Sequence, residues 1–348
     1  MTANGRAASG DSLRILVYSR PFFPLVGGVE TMAMMLAEEF TALGHRVTVV
    51  TRSVNPDEDR FAFTVLRKPS PWRFLEASLA SDVILHMNLS LRGAWVLPFV
   101  RARWVVAHGA QYRREAGRRF LRDHFKVWAA RRALNIACSR AILADLPSNS
   151  TVIENAYDDR VFHDRGLRRD RDILFVGRLV EGKGVDLLLK ALALLGSRGR
   201  AANLTVVGDG PDRKTLEAAA GAAGLGSQVA FLGALSGDDL ADVMNRHRVL
   251  AVPSRVEAFG IVALEGLACG CAVAVSDVGG LPEAVGACGI RFRTEDAEAL
   301  ADSLSLALRS GPAPAAERSA HLARFSRKSV ASRYIRAIQD AIARRRAR

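Results

Sequence analysis

Glu257 and Glu265 stand eight residues apart in the run Pro253-Ser-Arg-Val-Glu257-Ala-Phe259-Gly260-Ile261-Val262-Ala-Leu-Glu265. With a helix starting near Phe259, the first carboxylate lies in the preceding loop and the second about two turns along. Such a pair can address two parts of one extended ligand. Between them the N–H groups of Phe259, Gly260, Ile261 and Val262 come before the helix's own acceptors and are available to phosphate oxygens. Glu265 lies in an otherwise apolar helical stretch, where an unpaired carboxylate is costly. Sugar hydroxyls would serve it as partners.

A second run, Gly177-Arg178-Leu-Val-Glu181-Gly182-Lys183-Gly184, brings two cations and several glycines to the positive end of a helix. That composition suits a pyrophosphate. The window also approaches the phosphate-loop pattern G-x-x-x-x-G-K-[ST]. It departs at Gly184, which stands where a hydroxyl would hold magnesium, and no strand ends in an obvious partner acid. Two further loops carry chemistry-capable residues. Gly27-Gly28 opens a helix after Arg20-Pro-Phe-Phe-Pro, leaving backbone amides open to an anion. His108-Gly109 ends a strand, where an imidazole can bond a sugar hydroxyl or carry a proton.

These loops need strands to hold them. Short β-branched runs alternate with helical stretches, the pattern of parallel strands joined by crossover helices. The predicted strands are 14–19, 46–51, 63–67, 82–87, 104–107, 135–139 and 151–153 in one half, and 172–176, 203–207, 229–232, 249–252, 272–276 and 290–293 in the other. Each set suits a doubly wound sheet, with ligands beyond the C-terminal strand ends. The chain of 348 residues therefore reads as two α/β domains. The expected division is a disordered leader 1–12, a first domain 13–158, a linker 159–171, a second domain 172–310, and C-terminal helices with a basic tail, 311–348, packing back on the first domain.

Composition narrows the classes. No uncharged apolar stretch approaches the length of a membrane span, and the leader has no secretory h-region. Cys138, Cys269, Cys271 and Cys288 lack zinc or redox spacing and read as buried, reduced thiols of a cytosolic protein. Net charge is +13, concentrated where 101–140 hold eleven Arg or Lys against Glu115 and Asp123, and where 326–348 hold eight against Asp340. Such patches attract phosphates on lipid, acceptor or nucleic acid; a solvated Arg-rich surface gives the same pattern. Tyr112, Phe120, Phe125 and Trp128 fit helix-core spacing better than base stacking, which argues against nucleic acid. Pro69-Ser-Pro-Trp72-Arg73-Phe74-Leu75 reads as a membrane anchor or, preferably, a buried helix start.

Taken in order, these motifs resemble, over nearly the whole chain, the retaining GT-B glycosyltransferases of the glycogen-synthase-like and bacterial mannosyltransferase type, glycosyltransferase family 4. The run 253–265 resembles the family's E-x7-E signature. Ser276-Asp-Val-Gly279-Gly280-Leu-Pro282-Glu283 resembles its Gly-Gly-x-Pro-Glu turn. Val207-Gly208-Asp209-Gly210-Pro211 and Phe231-Leu232-Gly233 resemble two further strand ends. Asn155-Ala-Tyr-Asp158 resembles the interdomain Pro-Asn-Gly-Val-Asp segment, with Glu154 and Ala156 departing from it, and Cys271 replaces a usual Pro.

The resemblance implies an α/β GT-B fold of two Rossmann-like doubly wound domains facing a central cleft. It implies transfer of a hexose, with retention, from a UDP-, GDP- or ADP-sugar to an acceptor hydroxyl of a cell-envelope glycan or glycolipid, without metal or other cofactor. Arg178 and Lys183 would hold the diphosphate, Glu257 the donor sugar and Glu265 the ribose. Gly27 and Gly28 would lie against the phosphates, and His108 would contact the transferred sugar. The protein would be cytoplasmic, with contact to an anionic membrane suggested by its charge, and no nucleic-acid partner. Alternatives stay open: an epimerase of the same fold, distinguished by product analysis without acceptor; a non-catalytic nucleotide-sugar or nucleic-acid binder, distinguished by salt dependence; and a metal-dependent transferase using Asp57-Glu58-Asp59 or Asp170-Arg171-Asp172, distinguished by EDTA.

Overall fold

The computed structural model describes residues 12–25, 27–110, 128–147 and 149–346. The leader up to residue 11 and residues 111–127 of the 101–140 basic stretch, with Tyr112, Phe120 and Phe125, lie outside the described residues. The chain divides into two compact units, one of residues 1–138, 142–153 and 330–348, the other of 139–141 and 154–329.

The first unit carries a seven-stranded sheet of β1 (Arg14–Tyr18), β2 (Arg46–Thr51), β3 (Thr64–Arg67), β4 (Val83–Met87), β5 (Arg103–His108), β6 (Leu134–Ala137) and β7 (Ser150–Val152), in the order β3-β2-β1-β4-β5-β6-β7. The second carries β8 (Arg171–Val176), β9 (Leu204–Val207), β10 (Val229–Gly233), β11 (His247–Val252), β12 (Ala272–Ser276) and β13 (Gly289–Phe292), in the order β10-β9-β8-β11-β12-β13. Every pairing is parallel. Both sheets reverse direction of growth beside their first strand, the doubly wound arrangement. All thirteen predicted strands form, with ends displaced by at most two residues.

Central strands such as β4 and β12 are buried throughout. Helices cover parallel sheets on both faces, so their strands read as continuous apolar runs. In the second unit the helix Val185–Ser197 turns Leu187, Leu188, Leu189, Leu192 and Leu195 inward against Phe175, Val206 and Val249. Each such side chain contributes about 1.5–3 kcal/mol through burial.

Three local expectations change. Residues 159–171 are not a free linker but a belt on the second unit. Arg165 pairs with Asp238 and Asp242 at 2.5 and 2.6 Å and donates its backbone N–H to Asn245, while Arg169 donates to the carbonyls of His247 and Cys269. The segment is polar because its arginines are anchored, not because it is unattached. The helix Pro71–Leu79 buries Phe74, but Trp72 is 80% exposed, so its start is not a buried one. Trp128 is half-exposed with the Arg132 guanidinium over its ring, and it is no core residue. All four cysteines are buried, and none forms a disulfide among the described residues. Among the described residues no helix is long and apolar enough to cross a membrane.

Candidate functional site

The order of the second sheet sets β8 and β11 side by side where the winding reverses, and crevices form at such points. The loops leaving these two strands carry the predicted chemistry. After β8 the chain passes Gly177 and Arg178, makes a tight turn over Glu181–Lys183, and enters the helix at Val185 through Gly184. After β11 it passes Pro253 to Phe259 and enters the helix Ile261–Ala268 through Gly260. Two helix N-termini therefore open onto the same rim, each with partial positive charge; the Asp186 carboxylate already takes the Leu187 N–H, and the Gly260 carbonyl takes that of Ala263.

Backbone contacts lock the loops together. The Arg255 N–H donates to the Gly182 carbonyl at 2.9 Å. Gly184 has φ +71°, and a Cβ there would meet the Pro253 carbonyl oxygen at 2.0 Å. Gly279, at φ +57°, comes as close to the Glu257 carbonyl, 1.7 Å from where its Cβ would be. The Gly279-Gly280 turn thus supports the Glu257 loop from behind.

Lys183 Nζ donates to Glu257 Oε2 at 2.6 Å, joining two residues that the sequence left in separate motifs. Ser254 stands at 3.5 Å from the same oxygen. Arg178 is exposed and has no ion pair among the described residues. Phe259 is buried against Phe325, ring centroids 5.7 Å apart, and the helix begins two residues later than expected. Of the four amides singled out, those of Ile261 and Val262 open the helix proper, while Phe259 and Gly260 belong to the approaching loop.

Glu265 is half-buried, and no side chain among the described residues bonds it. Burial, with help from the nearby Asp158 charge, pushes its carboxyl up to about 8. The folded chain therefore binds this proton more tightly than the unfolded chain, and stability falls as pH rises from about 4.5 towards 8. Glu265→Gln should remove that loss. Its melting temperature should exceed wild type by a few degrees at pH 8.5, on the order of 1–2 kcal/mol, and converge with it at pH 4.5. Parallel thermal melts across this range check the sign; a gap that widens on acidification contradicts it.

The remaining predicted residues belong to the first unit. His108 ends β5 and is 1% exposed, its Nε2 3.0 Å from Asn135 Oδ1 on β6. Burial pulls its pKa down to about 4, opposed by the Asn135 bond, so the ring is neutral at pH 7. Gly27 caps the helix Gly28–Ala42, and its carbonyl accepts from Thr31.

Sequence reasoning missed two participants. Asn135, a buried polar residue in a strand, orients His108. Arg255 holds Asp186 through two bonds of 2.7 and 2.8 Å, reaches Glu295, and donates to the Glu181 carbonyl. Neither acid lies near it in the sequence. Of the formal metal motifs, Asp59 is bound by Arg67 and Asp172 by Arg248.

A family model described as glycosyl transferases group 1 matches residues 160–328, and one described as Glycosyltransferase Family 4 matches 26–160. The phosphatidylinositol N-acetylglucosaminyltransferase gpi3 subunit of Schizosaccharomyces pombe is 26% identical over 82% of this chain and 70% of its own length. A D-inositol 3-phosphate glycosyltransferase of Mycolicibacterium paratuberculosis is 39% identical over 52% of this chain, a match that spans 44% of that protein. Among solved structures, sucrose-phosphate synthase of Thermosynechococcus elongatus superposes with a TM-score of 0.78 at 21% identity, covering 95% of this chain and 99% of that one. HepE of Anabaena, solved with UDP and glucose, superposes with a TM-score of 0.71 at 20% identity, covering 96% and 99%.

Proposed function

We propose a reaction from one premise: this chain belongs to the GT-B glycosyltransferases of the family 4 type, within the group 1 glycosyl transferases. The reaction is transfer of a hexose, with retention, from a UDP-, GDP- or ADP-sugar to an acceptor hydroxyl of a cell-envelope glycan or glycolipid. The observation that carries this reading is the rim of the second sheet, where Lys183 meets Glu257 between two helix N-termini and the loop leaving β8 also carries Arg178. As the glycosidic bond breaks, negative charge grows on the departing diphosphate. Fixed cations and oriented amides stabilise that charge more in the transition state than before it. In this reading they act without a metal ion. Lys183 leaves Glu257 for the phosphate, freeing the carboxylate for donor-sugar hydroxyls, and Glu265 receives the ribose. Resemblance assigns His108 to the transferred sugar and Gly27-Gly28 to the phosphates. With its Nε2–H donated to Asn135 Oδ1, a neutral His108 has Nδ1 as its acceptor and brings no charge there.

The bound complex of HepE and the named reactions of the relatives support a nucleotide-sugar donor. A panel of nucleotide diphosphates and sugar nucleotides in EDTA should contain one that raises the melting temperature. At about a hundredfold over its dissociation constant a donor adds about 2.7 kcal/mol. If the whole panel is silent in EDTA and active with magnesium, the metal-free mechanism is wrong.

Peripheral contact with an anionic membrane at its cytoplasmic face belongs to the same reading. Its support is a set of exposed aromatic side chains on the first unit, Trp72 and the pair Trp95 and Phe99 at 6.5 Å, with exposed Arg73 and Arg92 near them in the sequence. Apolar anchoring and charge together are what such attachment needs. Trp72→Ala/Phe99→Ala should lower co-sedimentation with anionic liposomes several-fold; equal sedimentation with neutral and anionic liposomes would refute the contact.

A further inference from the structure

The Arg255 guanidinium joins three strand-end loops of the second unit. From its own loop after β11 it donates to the Glu181 carbonyl at 2.6 Å in the loop after β8, and to the two Asp186 oxygens at 2.7 and 2.8 Å at the start of the helix Val185–Ser197. It also donates to both Glu295 oxygens in the loop after β13. A guanidinium has five N–H donors. These bonds use all of them, so Arg255 holds protein groups and leaves no donor for a ligand.

What it holds is the turn that carries Lys183. Glu181 opens that turn, and its carbonyl also accepts the Gly184 N–H at 3.0 Å. The Arg255 backbone N–H donates to the Gly182 carbonyl at 2.9 Å, so side chain and backbone grip the same three-residue turn. Two residues further along the Arg255 loop stands Glu257, whose Oε2 accepts from Lys183 Nζ at 2.6 Å. The distance between these two donor-site residues is thus set by one staple. On its far side Glu295 keeps a left-handed backbone, φ 63°, a costly conformation for a residue other than glycine. Charge matters as well as geometry. Asp186 is an acid in the first turn of the helix whose N-terminus the donor reading gives to a diphosphate, and an unmatched carboxylate there would repel it. The Arg255 bonds are the first cause holding that carboxyl below its usual range, and their parallel pairing is one a lysine cannot reproduce.

We propose that Arg255 is a positioning residue of the donor site: it fixes Lys183 beside Glu257, neutralises Asp186, and thereby sets the preference of the site for a nucleoside diphosphate over a monophosphate. It touches no substrate and acts through Lys183. This inference rests on the transferase reading and deepens it, because it assigns the second phosphate's recognition to a residue outside the binding set.

The test is calorimetric titration of the full chain with UDP, GDP and ADP and the matching monophosphates, in wild type, R255Q, R255K, K183A and R255Q/K183A. R198Q is the control, because Arg198, at the far end of the helix Val185–Ser197, also donates to two acids, Glu298 and Asp302. R255Q and R255K should each lose about tenfold or more for the best-bound diphosphate and under about threefold for its monophosphate, with both affinities kept in R198Q. K183A should cost about tenfold alone and under about threefold in the R255Q background, where Lys183 is already displaced. Equal losses for diphosphate and monophosphate, or a loss as large in R198Q, overturn the inference. So do R255Q and K183A effects that simply multiply, which would place Arg255 on the phosphate itself. If R255Q melts too low to titrate, Glu295→Ala, which removes the more exposed arm of the staple, is read by the same ratio. A fall of about threefold or more in diphosphate preference supports the inference, and an unchanged ratio overturns it. Wild type that binds no nucleotide strikes the donor reading and this inference with it, whereas normal binding in both wild type and R255Q strikes the inference alone.

Discussion

Arg178→Ala should lower kcat/KM by about 10²- to 10³-fold while leaving the melting temperature within about a degree of wild type. The first part follows from the size of the effect when one preorganised donor to a developing anion is removed. The second follows from the position of Arg178, which is exposed and has no ion pair among the described residues, so its removal strands no partner. Lys183→Ala should cost as much in turnover but by a mixed route. It removes a cation from the phosphate site and leaves the Glu257 carboxylate, 15% exposed, without the ammonium 2.6 Å away. A stranded, partly buried charge is itself costly. Adding Glu257→Gln to Lys183→Ala should therefore restore part of the stability lost and none of the turnover. Steady-state kinetics paired with thermal melts separate the two routes. Arg178→Ala within about threefold of wild type would remove this residue from the leaving-group site.

The reach of the sequence differs between sheet and site for a physical reason. Strands buried on both faces must be apolar runs, so 83–87 and 272–276 announce themselves one residue at a time. The glycine-rich loops announce themselves too, because only glycine lets backbones approach as closely as Gly184 and Pro253 do. What stayed hidden depends on partners distant in sequence. Arg255 reads as one more surface cation until Asp186 and Glu295 are found on its guanidinium. The 159–171 segment reads as a linker because its anchors, Asp238, Asp242 and Asn245, lie some eighty residues away. The helix start near Phe259 was misplaced for a related reason: Phe259 is claimed by Phe325, and Gly260, at φ +101°, breaks the helical backbone.

Gly184 offers the sharpest trial of how the donor loops are built. Gly184→Ser completes the pattern G-x-x-x-x-G-K-[ST] in the sequence, yet it should destroy the site instead of creating a magnesium-dependent one. At φ +71° any side chain is strained, and its Cβ would fall 2.0 Å from the Pro253 carbonyl oxygen, a backbone atom that can yield only if the whole 253–257 loop moves. That loop carries Glu257 and receives the Lys183 bond, so both donor contacts shift together. The expected cost is about 2 kcal/mol or more, on the order of 4–8 °C in melting temperature, with donor affinity down at least about tenfold. Gly182→Ser is the control, because a Cβ there meets nothing within 4 Å and its backbone is not left-handed. It should melt within about a degree of wild type and keep its donor. Equal behaviour of the two variants would mean that the loops after β8 and β11 do not touch as described, and the meeting of Lys183 and Glu257 would lose its structural basis.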